Sequence, residues 1–388
     1  MADRVRLGII GIGNQGSTYA RRLVRENWVP EIEVTAIADR NPDRIAWARE
    51  NVSPDLAYFE DALAMLDSGL IDACVVAVPH YDHPRYVMEC LHRGIHVLCE
   101  KPAGVYTQQV REMNAEAEKY PDVVYAMMFN QRTNCVYRKM RELIQSGKYG
   151  RVRRANWLIT NWYRSQYYYD SGDWRATWAG EGGGVLLNQC PHQLDLWQWI
   201  LGMPKKVQSF MHYGLWHDVE VEDDVTTYME YEDGHTGVFI TSTGDPHGSN
   251  RFEVQMDGAQ LVCENDRLYL AELEQLEQDW TKSNRQPFRA VPAKEIEVET
   301  DGENPQHQGV FRAFAGAILR GEPLVAGGEE GIRGLTLSNA MHLSAFLGRP
   351  VEIPFDEKLY YDELMKRVAV SRRKTPAKAV FAGTEGSY

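Results

Sequence analysis

This chain contains few cysteines and fewer basic than acidic residues. Six cysteines are spread over 388 residues and no two form a CxxC pair, which argues against a disulfide framework, a zinc ribbon or a thioredoxin-type site. Acidic residues outnumber basic ones by 55 to 42, for a net charge of −13. Because binding to phosphate-rich partners requires a surplus of Lys and Arg, we expect no nucleic acid and no membrane surface as a partner.

Long hydrophobic runs are lacking as well. No stretch approaches the roughly 18 consecutive apolar residues of a membrane-spanning helix. The start, MADRVRLGIIGIG, carries only a short apolar run interrupted by glycines, so no signal peptide is expected. A reducing cytoplasm fits these features best. The length is comfortable for two domains, each with a core of its own.

The first third of the chain alternates two kinds of segment. Apolar runs rich in β-branched residues (RLGII, EVTAIA, DACVVAV, HVLC and VVYAM) predict strands, and the stretches 15–26, 42–51, 83–94 and 106–119 predict helices. Alternation of strand and helix is typical of a parallel, doubly wound sheet and of the α/β class. We place this first domain at residues 1–129.

The pattern changes near Gly150. From there to about residue 300 the chain offers longer β-like runs, and the apolar positions of DVTTYMEYE alternate from 225 to 231, as in a sheet that is covered on one side. We therefore expect a second domain over 130–370. The remaining residues, 371–388, are predicted to form a polar tail.

A glycine-rich sequence joins the first predicted strand to the first predicted helix. Its GxGxxG spacing permits a tight turn and lets the backbone approach a pyrophosphate at the helix N-terminus. The residues expected to contact the dinucleotide there are Gly11, Ile12, Gly13, Asn14 and Gln15. Asp39 ends the second predicted strand, where a carboxylate accepts hydrogen bonds from the adenosine ribose and favours NAD. Arg40 beside it could pair with a 2′-phosphate, which leaves NADP possible.

Two further strand ends face the same predicted crevice. Ligands of an open parallel sheet bind beyond the carboxyl ends of its strands. Val78, Pro79 and His83 follow one such end, and Lys101 follows the next, beside the expected nicotinamide. A lysine there can stabilise an alkoxide-like oxygen electrostatically. The alternative is a surface lysine in a turn.

The segment GGGVLLNQCPHQLD supplies a candidate general base. Oxidation of an alcohol needs a group that accepts the hydroxyl proton as hydride leaves the same carbon, and His192 titrates in the right range. If the segment is helical, Asn188 and His192 share a face at i, i+4. Pro191 makes a continuous helix doubtful, because it either kinks a helix or starts a new one. The alternative is a core histidine hydrogen-bonded to Asp195.

Aromatic residues are dense just before this segment. Eight of the 22 residues from Trp157 to Trp178 are aromatic, and such side chains pack against the C–H faces of sugars, although a core or an interface uses them too. Tyr163 and Arg164 are candidate substrate contacts. Because no basic cluster for a phosphate is present, we expect a neutral sugar, glycoside or cyclitol. The acidic run 220–224 is interpreted as a solvated turn, and no metal site is assigned.

Taken together, these motifs resemble the glucose–fructose oxidoreductase / inositol dehydrogenase (Gfo/Idh/MocA) family. GIIGIGNQG, AIADR, HRGIHVLCEKP and GGGVLLNQCPHQLD carry the resemblance, which extends over about residues 4–350. It implies an N-terminal Rossmann domain and a C-terminal α/β substrate and oligomerisation domain with a large, mostly antiparallel sheet. It also implies NAD(P)-linked redox chemistry on sugars and cyclitols, and a homodimer or homotetramer.

The resemblance assigns roles to particular residues. Lys101 corresponds to the lysine of the family's EKP motif and His192 to the catalytic histidine, both in contact with substrate. The residues that would shape the cofactor site are Glu100, Lys101, Asn130, Trp174 and Arg175. Asn188 departs from the pattern, since many members carry Asp there. An amide can hydrogen-bond a sugar hydroxyl, but it cannot supply the negative charge that raises the basicity of a neighbouring base.

Three functions are compatible with these features. The first is NAD-dependent oxidation of a ring carbinol of a sugar, glycoside or cyclitol, with C3 of a glucoside favoured by analogy with the family. The second is an NAD-dependent glycosidase that oxidises a carbinol transiently and then eliminates the leaving group. The third is a catalytically silent sugar sensor on the same fold. The presence of both Lys101 and His192 argues against the third.

Overall fold

The computed structural model describes residues 4–372 and 374. The strands of its first sheet are β1 (Val5–Ile10), β2 (Ile32–Ala38), β3 (Ala57–Phe59), β4 (Ala73–Val76), β5 (His96–Cys99) and β6 (Tyr125–Met127). They pair in the order β3-β2-β1-β4-β5-β6, and every pairing is parallel. The order reverses between β1 and β4, which is where a doubly wound sheet opens a crevice for a ligand.

Helices cover both faces of this sheet. They are α1 (Asn14–Arg25), α2 (Pro42–Asn51), α3 (Ala62–Leu66), α4 (His83–Leu91) and α5 (Thr107–Ala117). Successive strand residues enter two separate apolar clusters: Ile9 and Val75 lie in one, and Ile10 and Val76 lie in the other. Both faces are buried because the strands are apolar throughout. The predicted doubly wound parallel sheet is confirmed.

The sequence pattern indicates neither β3 nor α3. β3 contains three residues, all only partly buried, and α3 contains five. Elements this short do not complete a period of either alternation or helical repeat, so hydrophobic periodicity cannot reveal them.

The second sheet is larger and mixed. Its strands are β7 (Val152–Ile159), β8 (Lys206–Tyr213), β9 (Glu222–Glu230), β10 (Thr236–Ser242), β11 (Asn250–Met256), β12 (Ala259–Glu264), β13 (Arg267–Leu273), β14 (Ala293–Glu297) and β15 (Val351–Glu352). The order is β14-β13-β12-β11-β7-β10-β9-β8-β15, and the β7–β10 pairing alone is parallel in this described sheet. The large, mostly antiparallel sheet that the resemblance implies is confirmed.

One face of the second sheet forms a core. The alternating positions of β9, Val225, Thr227 and Met229, are all buried, as the period-2 pattern predicts. Trp157 of β7 stacks on Phe252 of β11 with ring centroids 4.3 Å apart. Trp157 is therefore a core residue and does not reach a substrate.

Further helices complete the fold. They are α6 (Cys135–Gln145), α7 (Gln166–Asp170), α8 (Pro191–Leu201), α9 (Glu277–Ser283), α10 (Gln306–Arg320), α11 (Gly331–Leu347) and α12 (Glu357–Val368). α8 and α11 pack on each other and α11 packs on β8, which covers the buried face of the second sheet. α10 returns to the first sheet, where Phe311 packs edge-on against Tyr19. Within the described part of the chain, no helix is long and apolar enough to cross a bilayer.

The tail predicted for 371–388 lies almost wholly outside the described residues. Its first residue is fixed, since Ser371 Oγ donates to Glu220 Oε2 at 2.6 Å. Lys374 Nζ donates to the carbonyl oxygen of Tyr169 at 3.1 Å.

A buried ion pair ties α8 to the segment that follows the first sheet. Arg132 donates from Nε and Nη2 to the two carboxylate oxygens of Asp195, each at 2.7 Å. The side chains are 2% and 1% exposed. Arg132 also donates to Glu330 at 2.8 Å. Two parallel bonds fix both the distance and the angle between the elements.

Removal of one partner of this pair is expected to destabilise the protein strongly. Asp195→Ala leaves a buried guanidinium with less compensation, which costs about 3–5 kcal/mol. Asp301→Ala is the matched control, because it breaks a two-bond pair with Arg138 that is half exposed and costs about 0–1 kcal/mol. Urea unfolding of the two variants measures the difference. Equal losses would mean that the buried pair does not hold α8.

Candidate active site

The glycine-rich turn brings β1 and α1 into close contact. Gly11 has a φ of +86°, a conformation that side chains disfavour. A Cβ at Gly11 would lie 2.5 Å from the carbonyl oxygen of Ala77, and one at Gly16 would lie 1.9 Å from the carbonyl oxygen of Gly11. Neither position can carry a side chain without moving the backbone. The turn is therefore built from these glycines for geometric reasons.

The N-terminus of α1 is suited to a pyrophosphate. The helix begins at Asn14, its cap residue Gly13 provides no side-chain hydrogen bond, and its first turn contains no acidic residue. A Cβ at Gly13 would meet only Arg44 Nη1 among its neighbours, at 3.5 Å. Backbone N–H groups and the positive end of the helix dipole are thus presented to an anion, as a dinucleotide requires.

Asp39 lies beside the same turn. One of its carboxylate oxygens accepts the N–H of Ile12 at 2.9 Å, and the other accepts the N–H of Asn41 at 2.8 Å. These bonds hold the carboxylate at the end of β2, where an adenosine ribose is recognised. Arg40 is exposed. Arg44, which the sequence analysis does not single out, donates from Nη1 to the carbonyl oxygen of Ile12 at 2.9 Å.

His83 joins two strand-end segments to each other. Its Nδ1 lies 2.6 Å from the carbonyl oxygen of Pro102 and its Nε2 lies 2.8 Å from that of Val78. Burial lowers its pKa. The ring fixes the segment with Val78 and Pro79 against the segment that follows β5. Its observed contacts are those of a positioning residue.

Glu100 and Lys101 follow β5 directly. Glu100 is buried and accepts hydrogen bonds from the Tyr19 hydroxyl and from the N–H of Lys101. Burial raises the pKa of Glu100. Lys101 Nζ donates to the backbone carbonyl oxygen of Asn188 at 2.8 Å. The lysine is therefore a link between the first sheet and the turn before α8, and it is not a surface lysine.

The protonation of Lys101 is set by opposing influences. Burial lowers its pKa, and the charges of Glu100 and Glu181 oppose that fall. Arg164 and Arg175 lower the pKa further. The pKa of Lys101 therefore depends on charged side chains at positions 100, 164, 175 and 181.

His192 lies in the first turn of α8. Pro191 begins this helix, so the chain restarts at the proline and does not continue a helix through it. The imidazole is 2% exposed. Burial lowers its pKa well below the usual range, with further contributions from the charges of Lys101 and His307. The ring is therefore neutral at neutral pH and able to accept a proton.

Asp195 is bound by Arg132. Both of its carboxylate oxygens accept hydrogen bonds from Arg132, and one also accepts from Gln198 at 3.0 Å. These contacts hold α8 against the segment that follows the first sheet.

Asn188 stands in the turn that precedes α8. Its N–H bonds to the carbonyl oxygen of Gly184 at 2.9 Å, and α8 begins three residues later. The helical i, i+4 relation to His192 therefore does not hold. The side-chain Nδ2 donates instead to Oε1 of Glu181, a buried carboxylate that the sequence analysis does not name.

The acidic run 220–224 is not a solvated turn, because β9 already begins at Glu222. Glu222 and Asp223 are each 1% exposed. Glu222 accepts the N–H groups of Gly184 at 2.8 Å and Leu186 at 3.0 Å, and lies 3.1 Å from His342. The expectation is wrong because backbone N–H groups and a histidine satisfy this carboxylate inside the fold. Its contacts fix the glycine run that precedes Asn188.

Aromatic and guanidinium groups line the opening beside Lys101. Arg175 Nη1 donates to the Tyr168 hydroxyl at 2.8 Å, and Gln189 Nε2 reaches the same hydroxyl at 3.3 Å. The guanidinium carbons of Arg164 and Arg175 lie 5.3 and 4.5 Å from the Tyr168 ring. Tyr163 is 53% exposed. The sequence analysis does not name Tyr168 or Gln189 individually, although both lie in segments that it marks.

Two of the predicted cofactor contacts lie elsewhere along the cleft. Trp174 packs edge-on against His80 with ring centroids 5.7 Å apart. Asn130 is fully buried, and its Nδ2 donates to Oε1 of Gln306 at 2.5 Å. Among the described residues, no cluster of three or more His, Cys, Asp or Glu side chains is arranged to hold a metal ion.

Comparison with known proteins identifies the family. A model of an oxidoreductase family with an NAD-binding Rossmann fold matches residues 5–128, and the model of the GFO/IDH/MocA C-terminal domain matches residues 137–262. The chain belongs to the Gfo/Idh/MocA family of oxidoreductases. The resemblance seen in the motifs is confirmed, and the first sheet is an NAD-binding Rossmann fold.

Known relatives of this Gfo/Idh/MocA protein are distant. The rhizopine catabolism protein MocA of Rhizobium meliloti is 28% identical over 200 residues, which are 51% of this chain and 58% of that protein. Myo-inositol 2-dehydrogenase of Thermotoga maritima is 24% identical over 269 residues, 68% of this chain and 76% of that one. A WlbA dehydrogenase structure from Chromobacterium violaceum, solved with NADH and UDP-GlcNAcA, has a TM-score of 0.77 at 23% identity and covers 92% and 98% of the two chains.

In this Gfo/Idh/MocA protein, Asp39 is expected to set the preference for NAD. Asp39→Ser removes the acceptor for the ribose hydroxyls, so NAD should bind more weakly and NADP relatively better, with Arg40 and Arg44 close by. Fluorescence titration with both coenzymes measures the ratio of the two Kd values. Asp43→Ser, an exposed acidic residue of α2, is the control. An unchanged ratio in Asp39→Ser would remove this residue from the cofactor site.

Proposed function

We propose that the protein is an NAD-dependent dehydrogenase that oxidises a ring carbinol of a sugar, glycoside or cyclitol. The observation that carries the proposal is the bond from Lys101 Nζ to the carbonyl oxygen of Asn188. It joins the carboxyl end of β5, beside the cofactor crevice, to the turn that leads into His192. The proposed base, His192, and the proposed cationic group, Lys101, thus belong to one cleft, as alcohol oxidation requires.

In the proposed reaction His192 accepts a proton and Lys101 stabilises negative charge. The nicotinamide supplies a hydride acceptor when it is bound. His192, which is neutral because burial and Lys101 lower its pKa, accepts the proton of the substrate hydroxyl as hydride leaves the carbinol carbon. Lys101 in its ammonium form stabilises the developing negative charge on the same oxygen. The products are a carbonyl compound, the reduced cofactor and one proton, now on His192.

The lining of the cleft supports a polyhydroxylated substrate. Tyr163 offers an exposed ring, Arg164 next to it offers hydrogen-bond donors, and Gln189 donates to the Tyr168 hydroxyl. Aromatic faces and nearby polar groups are the usual partners of sugar rings. The names of the relatives point the same way, since they include inositol dehydrogenases and a dehydrogenase solved with a nucleotide sugar. Within this class we propose a neutral glycoside oxidised at C3, by analogy with the family.

A panel of substrates separates this function from its alternatives. Sugars, glycosides and inositols are incubated with NAD, and NADH absorbance and released aglycone are followed together. Accumulation of NADH identifies a dehydrogenase. Release of aglycone without NADH identifies the glycosidase that oxidises its substrate only transiently. NAD and sugar binding without either product identifies a sensor.

Replacement of the proposed base is expected to slow the chemical step. His192→Ala should reduce the single-turnover rate of hydride transfer by about 10²–10⁴-fold, because the hydroxyl proton loses its acceptor. The Kd for NAD should change little. His92→Ala, at the exposed end of α4, is the control. If His192→Ala keeps most of the single-turnover rate, the base is another group.

A further proposal concerns assembly into a homodimer or homotetramer. Phe210, Thr226, Ile240 and Leu158 form one row across four adjacent strands of the second sheet. Phe210 is 62% exposed and Leu158 is 38% exposed. This face is opposite to the one that α8 and α11 cover. An exposed sheet face with apolar residues in register is suited to a second copy of the chain. All six cysteines are unpaired, which supports a reducing cytoplasmic location.

Phe210→Glu tests the assembly proposal. A charge at the β8 end of the row should lower the molar mass measured by light scattering to that of a smaller assembly or a monomer, because a buried unpaired carboxylate is costly. As a control, Leu70→Glu introduces the same charge at an exposed leucine between α3 and β4 and should leave the molar mass unchanged. An identical mass for wild type and Phe210→Glu would mean that this face is not the interface.

A further inference from the structure

The cleft contains a buried carboxylate that forms no ion pair. Glu181 is 1% exposed, and no basic side chain within residues 4–372 lies at ion-pair distance from it. By contrast, the buried carboxylates of Asp195 and Glu222 lie 2.7 and 3.1 Å from the basic side chains of Arg132 and His342. A buried carboxylate without a counter-ion is costly, so its position calls for a function in the site.

The hydrogen bonds of Glu181 point towards Lys101. Oε2 accepts the N–H of Ala176 at 2.5 Å, and Oε1 accepts Nδ2 of Asn188. The carbonyl oxygen of Asn188 in turn accepts Nζ of Lys101 at 2.8 Å. One residue, Asn188, therefore contacts the carboxylate with its side chain and the lysine with its backbone.

We propose that Glu181 orients Asn188 so that its carbonyl oxygen holds Lys101, and supplies a negative charge that favours the protonated lysine. Glu181 acts through other residues, so it is a positioning residue. The inference rests on the proposed role of Lys101 in the dehydrogenase reaction. Asn188 connects the two groups, since its side chain donates to the carboxylate and its backbone carbonyl oxygen accepts from the lysine.

Burial tunes this carboxylate to the neutral range. It raises the pKa of Glu181 to about 7, against the influence of Arg175 and of the two hydrogen bonds. The titratable and charged groups around Glu181 are Lys101, Arg175, Tyr169, His80 and Glu222. Above pH about 7 Glu181 is mainly ionised, and its charge opposes the loss of the Lys101 proton. The alkaline limb of the activity profile, where Lys101 loses its proton, should therefore lie at higher pH than it would without this charge.

The test measures the titration of Lys101 in the protein without cofactor or substrate. Trace acetic anhydride labels only the deprotonated amine, and mass spectrometry of the Lys101 peptide at a series of pH values gives its pKa. Glu181→Gln should lower that pKa by about one pH unit, because an opposite charge is removed. The double variant Glu181→Gln/Asn188→Asp returns a carboxylate to the corner and should restore the wild-type value. Glu220→Gln is the matched control, since Glu220 accepts the N–H of Trp178 in the same loop at 3.2 Å.

Activity supplies the second measurement. The alkaline limb of kcat/KM for a substrate from the panel should lie about one pH unit lower in Glu181→Gln than in the wild type, in step with the shift in the Lys101 titration. Circular dichroism and the Kd for NAD show whether the variant is folded.

The outcomes separate this inference from the proposed function. A folded Glu181→Gln protein with the wild-type Lys101 titration overturns the inference, even if Lys101→Ala abolishes turnover. Full turnover in Lys101→Ala overturns the proposed function, whatever Glu181 does to the lysine. If Glu181→Gln does not fold, Asn188→Asp decides: a second carboxylate in this corner should raise the pKa of Lys101, and an unchanged titration overturns the inference.

Discussion

The active cleft depends on the bond from Lys101 Nζ to the carbonyl oxygen of Asn188. An ammonium group at the junction of two sheets loses much of its hydration, and that loss must be offset by acceptors and negative charge. The structure provides both, with a backbone carbonyl oxygen from the second half of the chain and the carboxylates of Glu100 and Glu181. Since these groups come from both halves, the cleft forms only when the two sheets are correctly placed.

The same charge accounts for the different characters of the two proposed catalytic groups. Burial lowers the pKa of His192, and the charge of Lys101 lowers it further. Burial also lowers the pKa of Lys101, but the charges of Glu100 and Glu181 oppose that fall. The two environments therefore favour a neutral imidazole and a protonated amine.

The fold and the cofactor site could be predicted from sequence because they depend on local patterns. Apolar strands, the period-2 alternation of β9 and the glycine turn at residues 11–16 each need only a few neighbouring residues. The surroundings of His192 could not be predicted in this way. Asn188 contacts Lys101 through its backbone, and its side chain contacts Glu181 across a turn that Pro191 separates from α8. Such contacts follow no period, and a helical register drawn through the proline gives the wrong neighbour.

Three carboxylates of the second half, those of Asp195, Glu222 and Glu181, are buried but differ in the groups that bind them. Asp195 is bound by Arg132, which fixes α8, and Glu222 is bound by the N–H groups of Gly184 and Leu186, which fixes the turn. Each is fully used in holding backbone elements in place. Glu181 has only two donors, Ala176 and Asn188, and no basic partner among the described side chains. Asp195 and Glu222 are thus each held by several donors, whereas burial raises the pKa of Glu181 to about 7. Neither a sequence motif nor periodicity marks Glu181, and it stands out because the scaffold already binds the other two buried acids.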